Sequence, residues 1–386
     1  MMLDFSYENT TRIHFGKSAM DYLAPELKKY GKKVLLVYGK SAIKRTGIYD
    51  NVMQILAECG KNVTELSGIN PNPRYSQVQE GARLVRENDI DLILAVGGGS
   101  VIDCSKAISV AAYAKGDPWE RFWINFEDVT ERVVPVASVL TMTGTGSEMN
   151  SGSVITNEDK KLKCGRVFPS FVNPQFSILN PEFTYTVPKR QMLSGVFDIM
   201  SHLMEQYFNG DDDNVCDYLI EGLLRAVINN VRKAVVNPLD YNARANIMWA
   251  STMALNKIIA VSKEQDWEVH AIEHQLGAYT DCPHGEGLAV ISLAYYRYIY
   301  KYGLDKFVRF AKNVFGAEDK LTDEETALAG IAELENLVKE LGMPTTLREL
   351  GATEDMLEKI AESSDKGGGY KTMEKGDILT VLKNCY

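Results

Sequence analysis

The chain has 386 residues, of which 45% are hydrophobic and 24% charged, so it carries ample apolar surface and more length than one core usually spans. Its formal charge of −10 argues against a general binder of nucleic-acid phosphates, and the short cluster Lys160, Lys161 and Lys163 is too small to reverse that. The N-terminal stretch MMLDFSYENTTRIHFGK lacks a basic start followed by an apolar run, and nowhere do about eighteen apolar residues follow one another. The six cysteines (Cys59, Cys104, Cys164, Cys216, Cys282, Cys385) show no paired spacing, which suits reduced thiols. A cytoplasmic protein with neither membrane nor nucleic-acid partners is expected.

In chain order, a short hairpin is expected around Arg12 to Phe15. From residue 33 to about 185, β-branched apolar runs then alternate with helical segments. KVLLVYG (33–39) and DLILAVGGG (91–99) end in glycine and lead into helix-like stretches, while VVPVASVLT (133–141) ends in TMTGTGSE. Strands buried on both faces have this texture, which predicts a mostly parallel α/β sheet. After Pro188 the texture changes, and from QMLSGVFDIMSHLMEQYF to the C-terminus the apolar residues are helix-spaced. Pro188 suits a first helical turn with Thr186 as cap, and Gly210 suits its end. The expected division is an α/β dinucleotide-binding domain over 1–185 and an all-α metal-binding domain over 186–386, with KGGGYKTMEKGD (366–377) as a loop.

Four of the five histidines fall in two segments of the helical half. DIMSH places Asp198 and His202 four apart on one helix face, and HAIEHQLGAYTDCPHGEG adds His270, His274 and His284. One oxygen donor with imidazoles suits Zn²⁺ or Fe²⁺ better than Mg²⁺ or Ca²⁺. A single Asp-x-x-x-His is more often a capped or surface pair, so residue types alone leave ligation open. HExxH is not present, since Ala271 follows His270 and Glu273 precedes His274. No GxGxxG occurs either. Gly97-Gly98-Gly99-Ser100 joins a strand to a helix starting near Val101, where bare backbone N–H groups and a helix N-terminus favour a diphosphate. A tight turn without ligand would look the same.

These two histidine segments, with AVGGGSVIDCSKAIS (95–109) and TMTGTGSEMN (141–150), resemble the iron-containing alcohol dehydrogenase family, and within it the butanol dehydrogenase branch. All four motifs occur in the family's order, and the likeness runs from the N-terminus to roughly residue 300. The resemblance implies the dehydroquinate synthase-like architecture, with an active site in the cleft between an α/β and an all-α domain. It implies Asp198, His202, His270 and His284 as ligands of Fe²⁺ or Zn²⁺, with His274 beside the ion. His274 then either passes the substrate proton to solvent or packs against the nicotinamide. Gly98, Gly99 and Ser100 would hold the diphosphate, Asp103 would lie near the nicotinamide end, and Thr141, Thr143 and Lys163 would line the cofactor path. Without the resemblance, Lys163 reads as a solvated surface charge.

The implied activity is NAD(P)(H)-dependent interconversion of primary alcohols and aldehydes such as butanol and butanal, with the substrate oxygen on the metal, in a protein expected to be a homodimer. A dehydroquinate synthase-like metal lyase is the rival of the same architecture. Its phosphorylated substrate would call for Lys and Arg near the ligands, where this chain has Phe197, Met200, Leu203 and Trp267. A non-catalytic metal-binding protein would leave the glycine turn without purpose. After KVLLVY, where NAD-preferring members carry an aspartate, the chain reads Gly39-Lys40-Ser41, with no carboxylate before Asp50. NADP(H) is therefore expected to be favoured over NAD(H).

Overall fold

In the computed structural model, which describes residues 2–210, 213–318 and 322–386, the chain divides into two compact units. One comprises Glu8–Val187 with Asn237–Thr252, and the other comprises the residues up to Tyr7, Pro188–Val236 and Met253–Tyr386. The chain thus passes out of the first unit and later returns to it.

The first unit contains strands β1 (Arg12–Phe15), β2 (Lys33–Tyr38), β3 (Asn62–Leu66), β4 (Leu92–Gly97), β5 (Val136–Leu140), β6 (Gly152–Asn157), β7 (Leu162–Val167) and β8 (Phe176–Leu179). Its helices are α1 (Leu23–Leu27), α2 (Ala42–Arg45), α3 (Ile48–Glu58), α4 (Tyr75–Asn88) and α5 (Gly99–Ala111). Six strands form one sheet in the order β1-β8-β5-β4-β2-β3, each pair parallel. Side chains alternate between two cores, as the pleat requires. Leu35, Val37, Ile93 and Ala95 pack with Val78 and Val85 of α4 and Ile102 and Ile108 of α5. Val34, Leu36, Leu92 and Leu94 pack with Leu23 and Leu27 of α1 and Val52 and Leu56 of α3. Cover on both faces is why these strands read as unbroken apolar runs.

The chain runs from β2 outward to β3, then back past β2 to β4. The order reverses between β2 and β4, and in open α/β sheets the crevice at the carboxyl ends of such strands is where ligands bind. Gly39, Gly98 and Thr141 directly follow β2, β4 and β5.

Two features differ from the sequence-based expectation. Arg12–Phe15 is no hairpin but an edge strand parallel to β8, with Arg12 opposite Phe176; its partner lies too far along the chain for local pattern to show. Residues 152–167 form an antiparallel hairpin of β6 and β7 that the apolar pattern did not signal.

The helical unit holds α6 (Lys189–Tyr207), α7 (Val215–Val236), α9 (Glu268–Thr280), α10 (His284–Ile299), α11 (Leu304–Phe315), α12 (Asp323–Leu341), α13 (Glu354–Ser363) and α14 (Lys375–Asn384), whereas most of α8 (Tyr241–Ala254) belongs to the sheet unit. Pro188 is the residue before the first turn of α6 rather than within it. The expected loop over 366–377 ends at α14, whose first turn takes in Lys375. α6 is buried continuously from Met192 to Tyr207, so each polar group it carries must find a partner or a ligand.

Candidate metal centre and nucleotide site

Asp198, His202, His270 and His284 come together within the helical unit. The first two lie one turn apart on α6, His270 is in the first turn of α9, and His284 begins α10. All three imidazoles turn Nε2 to the same carboxylate oxygen: Asp198 Oδ1 is 3.3 Å from that of His202, 3.7 Å from that of His270 and 3.6 Å from that of His284. Four donors about 2.0–2.2 Å from one ion in a tetrahedron stand about 3.3–3.6 Å apart. Asp198 Oδ1 and His270 Nε2 are buried and form no hydrogen bond. Asp198, His202 and His270 each bring a ligand atom within 4.8 Å of the others, His284 joins through Asp198 Oδ1, and an oxygen with imidazole nitrogens suits Zn²⁺ or Fe²⁺.

The charges agree with that fit. Burial alone would raise the Asp198 carboxyl, but the surrounding imidazoles outweigh it and hold the group below the usual carboxylate range. Burial pushes His202 down to about 4, leaving it neutral, the form that ligates. Burial also opposes charge on His270, yet Glu205 and Asp198 on either side raise it overall when no ion is present.

Two carboxylates that the sequence reading did not assign stand behind the imidazoles. Glu205 pairs with His270 Nδ1, and Glu273 pairs with His284 Nδ1. Glu205 follows His202 by three residues and Glu273 follows His270 by three, so helical spacing was the available signal. His274 lies on the same side, its ring centroid 5.7 Å from that of His284 and 6.1 Å from that of His270. Of the four apolar residues expected around the ligands, Phe197, Met200 and Leu203 are sunk in the core. Trp267 is half-buried and meets His270 and His202 edge-on, with centroids 5.3 and 6.0 Å away. It holds a left-handed backbone (φ 69°) just before α9, a costly conformation for a bulky residue, and its indole donates to Gln265 Oε1 at 2.7 Å.

In the sheet unit, α5 starts at Gly99, two residues before the expected start. A Cβ on Gly99 would lie 2.2 Å from Thr145 Oγ1, so the glycine is what lets the 141–150 loop close on this turn. Ser100 donates its hydroxyl to the Pro71 carbonyl. Asp103 does not present a free carboxylate: it is buried, accepts from Ser147 Oγ and from Val154 N at 2.9 Å, and lies 3.6 Å from Lys106 Nζ. Lys106, fully buried, donates to the carbonyls of Ser147 and Asn150 at 3.1 Å each. Burial pushes its amine down to about 8 against the pull of Asp103 and Glu148. Thr143 is buried and Thr141 half-buried, its N–H bonded to Gly97 O at 3.0 Å. Lys163 is buried on β7 rather than solvated among its lysine neighbours. Gly39 is half-buried while Lys40 and Ser41 are exposed, and Arg45 donates to Ser41 Oγ, adding a cation that the sequence reading passed over.

Known proteins share this architecture. Residues 10–181 match the family described as iron-containing alcohol dehydrogenase, and residues 192–386 match the C-terminal region of the same family. NADH-dependent butanol dehydrogenase A of Clostridium acetobutylicum is 41% identical over the full length of both chains. The NADPH-dependent aldehyde reductase YqhD of Escherichia coli is 35% identical over 100% of this chain and 99% of its own. Among solved structures, NADH-dependent butanol dehydrogenase A of Thermotoga maritima superposes with a TM-score of 0.95 at 35% identity, covering 100% of this chain and 99% of that one.

What seats His284 is a pair of glycines. A Cβ on Gly285 would lie 1.8 Å from the Ser194 carbonyl of α6, and one on Gly287 would lie 2.8 Å from Glu273 Cγ of α9. Gly285→Ala should therefore force α10 off α6 and cost about 1–3 kcal/mol, read as a lower urea midpoint together with weaker uptake of Zn²⁺ by the purified protein. Wild-type values for both would show that the crossing has slack.

Proposed function

The chain belongs to the iron-containing alcohol dehydrogenase family, and from that premise we propose that it interconverts primary alcohols and aldehydes such as butanol and butanal, using Asp198, His202, His270 and His284 to hold Fe²⁺ or Zn²⁺. The observation that carries this reading is the convergence of three imidazole Nε2 atoms on one buried, unbonded carboxylate oxygen. When bound, the ion supplies Lewis acidity toward the alcohol or carbonyl oxygen, and the nicotinamide gives or takes the hydride. The chain's own residues do the rest. Asp198 contributes the single negative charge among the ligands, so the centre stays net positive toward an alkoxide. Trp267 offers an apolar wall edge-on to the ligands, which favours an uncharged chain over a sugar phosphate. The His274 imidazole, only half-buried, carries the hydroxyl proton to and from solvent. The metal lyase alternative finds no support, since the relatives named above are all oxidoreductases.

For the cofactor we propose Gly98, Gly99 and Ser100 at the diphosphate, Thr141, Thr143 and Lys163 along its path, and Gly39, Lys40 and Ser41 at the ribose. Asp103 serves the cofactor by anchoring the 141–150 loop with Lys106. NADP(H) is favoured because the turn after β2 offers hydroxyl and cation but no carboxylate, while Glu65 of neighbouring β3 accepts from the hydroxyls of Tyr38 at 2.6 Å and Tyr49 at 3.0 Å. Relatives named for NADH and for NADPH both match the whole chain, so likeness alone does not choose. Six cysteines with no paired spacing support a reducing, cytosolic location, and no helix among the described residues is long and apolar enough to cross a membrane.

Assembly as a homodimer is supported by β1, which stands at the edge of the sheet, and by the exposed Phe15 and Trp249, whose rings meet at 5.8 Å. Exposed strand edges and aromatic pairs are ready surfaces for self-association. Light scattering should give twice the chain mass for the wild type and a monomer for Trp249→Glu; a monomeric wild type would refute the dimer.

His270→Ala should lose most bound metal and nearly all butanal turnover, because three remaining donors hold a divalent ion poorly. Normal metal content in that variant would remove the ligand assignment, and faster turnover of a sugar phosphate than of butanal would remove the apolar wall.

Discrimination between cofactors rests on an exposed charge, worth about 0–1 kcal/mol, or up to about fivefold. Wild-type kcat/KM should be higher with NADPH by a factor in that range. A Cβ at Gly39 would meet only Ile69 O at 3.7 Å, so Gly39→Asp fits and should shift preference toward NADH. Equal or better use of NADH by the wild type would show that the missing carboxylate does not set the choice.

A further inference from the structure

We infer that Glu205 and Glu273 are positioning residues of the metal centre, each fixing the tautomer and aim of one imidazole; the inference rests on the metal reading above. Glu205 lies on α6 and is fully buried. One of its oxygens accepts from His270 Nδ1 and from Ser201 Oγ at 2.6 Å, and the other accepts from the backbone N–H of His270 at 3.0 Å. A single carboxylate therefore holds both the ring and the main chain of His270, and it ties the helix that carries Asp198 and His202 to the first turn of α9, where a negative charge is favoured by the helix dipole. Glu273, also fully buried, turns Oε2 to His284 Nδ1. Its Cγ is hemmed in where Gly287 of α10 passes, which limits the rotamers open to it.

An ionised carboxylate can only accept, so when the rings are neutral, as ligation requires, the hydrogen on each sits at Nδ1 and the lone pair at Nε2. Both lone pairs then face Asp198 Oδ1, itself an acceptor, and three acceptors meeting in a buried space call for a cation rather than a hydrogen bond. A carboxylate behind the ring also makes the imidazole a stronger donor. The support is uneven. His202 Nδ1 is buried without a hydrogen bond, so two of the three imidazoles are backed by an anion at Nδ1 and the third is not. Complete burial sets both glutamates apart from a general base, which must reach substrate or water.

The test is metal affinity, measured by chelator competition with Zn²⁺, and the visible spectrum of the Co²⁺-loaded protein, for wild type, Glu205→Gln, Glu273→Gln and Glu273→Leu. Removing a carboxylate partner of a ligating histidine weakens metal binding about 10–100-fold, with the Gln variants expected near the lower figure and Glu273→Leu near the upper. The Co²⁺ bands should change in each variant, including Glu273→Gln, whose metal-free thermal midpoint should stay near the wild-type value because the amide oxygen still accepts from His284 Nδ1. Affinities within about threefold of wild type with an unchanged Co²⁺ spectrum would overturn the inference. So would a fall in the metal-free midpoint with an unchanged spectrum, the mark of a purely structural role. If Glu205→Gln does not fold, the two Glu273 variants decide. A wild-type protein that takes up no ion overturns the metal reading itself, whereas a metal-binding wild type with normal variants overturns this inference alone.

Discussion

Taking a carboxylate out of water without a counter-charge is among the costliest acts in folding, and Asp198 does so in the middle of a helix buried on all sides. The three imidazoles facing it outweigh that cost, and Asp198 with Glu205 in turn raises His270. Other acids crowd the same region. Burial, reinforced by Glu205, pushes Asp266 up to about 7, and burial with Asp266 pushes Glu268 up to about 8. Burial thus holds both acids toward their neutral forms, which limits the negative charge gathered around α9.

Where the backbone can approach decides where the candidate ligands end up. Gly285 seats the start of α10 against α6, and Gly287 lets the next turn pass Glu273. In the sheet unit Gly99 admits Thr145 in the same way, while buried Lys106 draws the Ser147 and Asn150 carbonyls onto α5. Both candidate sites therefore rest on close packing at glycine, braced by a buried charge whose partners lie on a different element.

The central strands and the long helices were legible because each has a period that burial enforces: unbroken apolar runs in β2, β4 and β5, and helix-spaced residues from α6 onward. The four candidate ligands were named from resemblance, four-residue spacing alone pairing only Asp198 with His202. What stayed hidden depends on distance along the chain. β1 reads as half of a hairpin until its partner β8 is known, Lys163 reads as solvated although β7 carries it buried, and Asp103 reads as available until Ser147 and Val154 take its oxygens. Glu205 and Glu273 carried the right helical spacing, but a glutamate on a helix is commonplace, and only the rotation of two imidazoles gives these two a role.

The return of residues 237–252 to the sheet unit bears on how the protein is made. Ser251 receives the Gly144 N–H at 3.0 Å, and Thr252 donates to buried Glu148 at 2.6 Å. The loop beside the glycine turn therefore cannot be fully satisfied while the ribosome has delivered only the strands, even though β8 ends at Leu179. The nascent α/β half must wait, its Glu148 carboxylate still seeking a partner, until α6 and α7 have been synthesised and α8 has emerged. A fragment cut at the apparent boundary near Thr186 would lack those partners permanently. The two halves are thus coupled in synthesis and cannot be treated as separable modules.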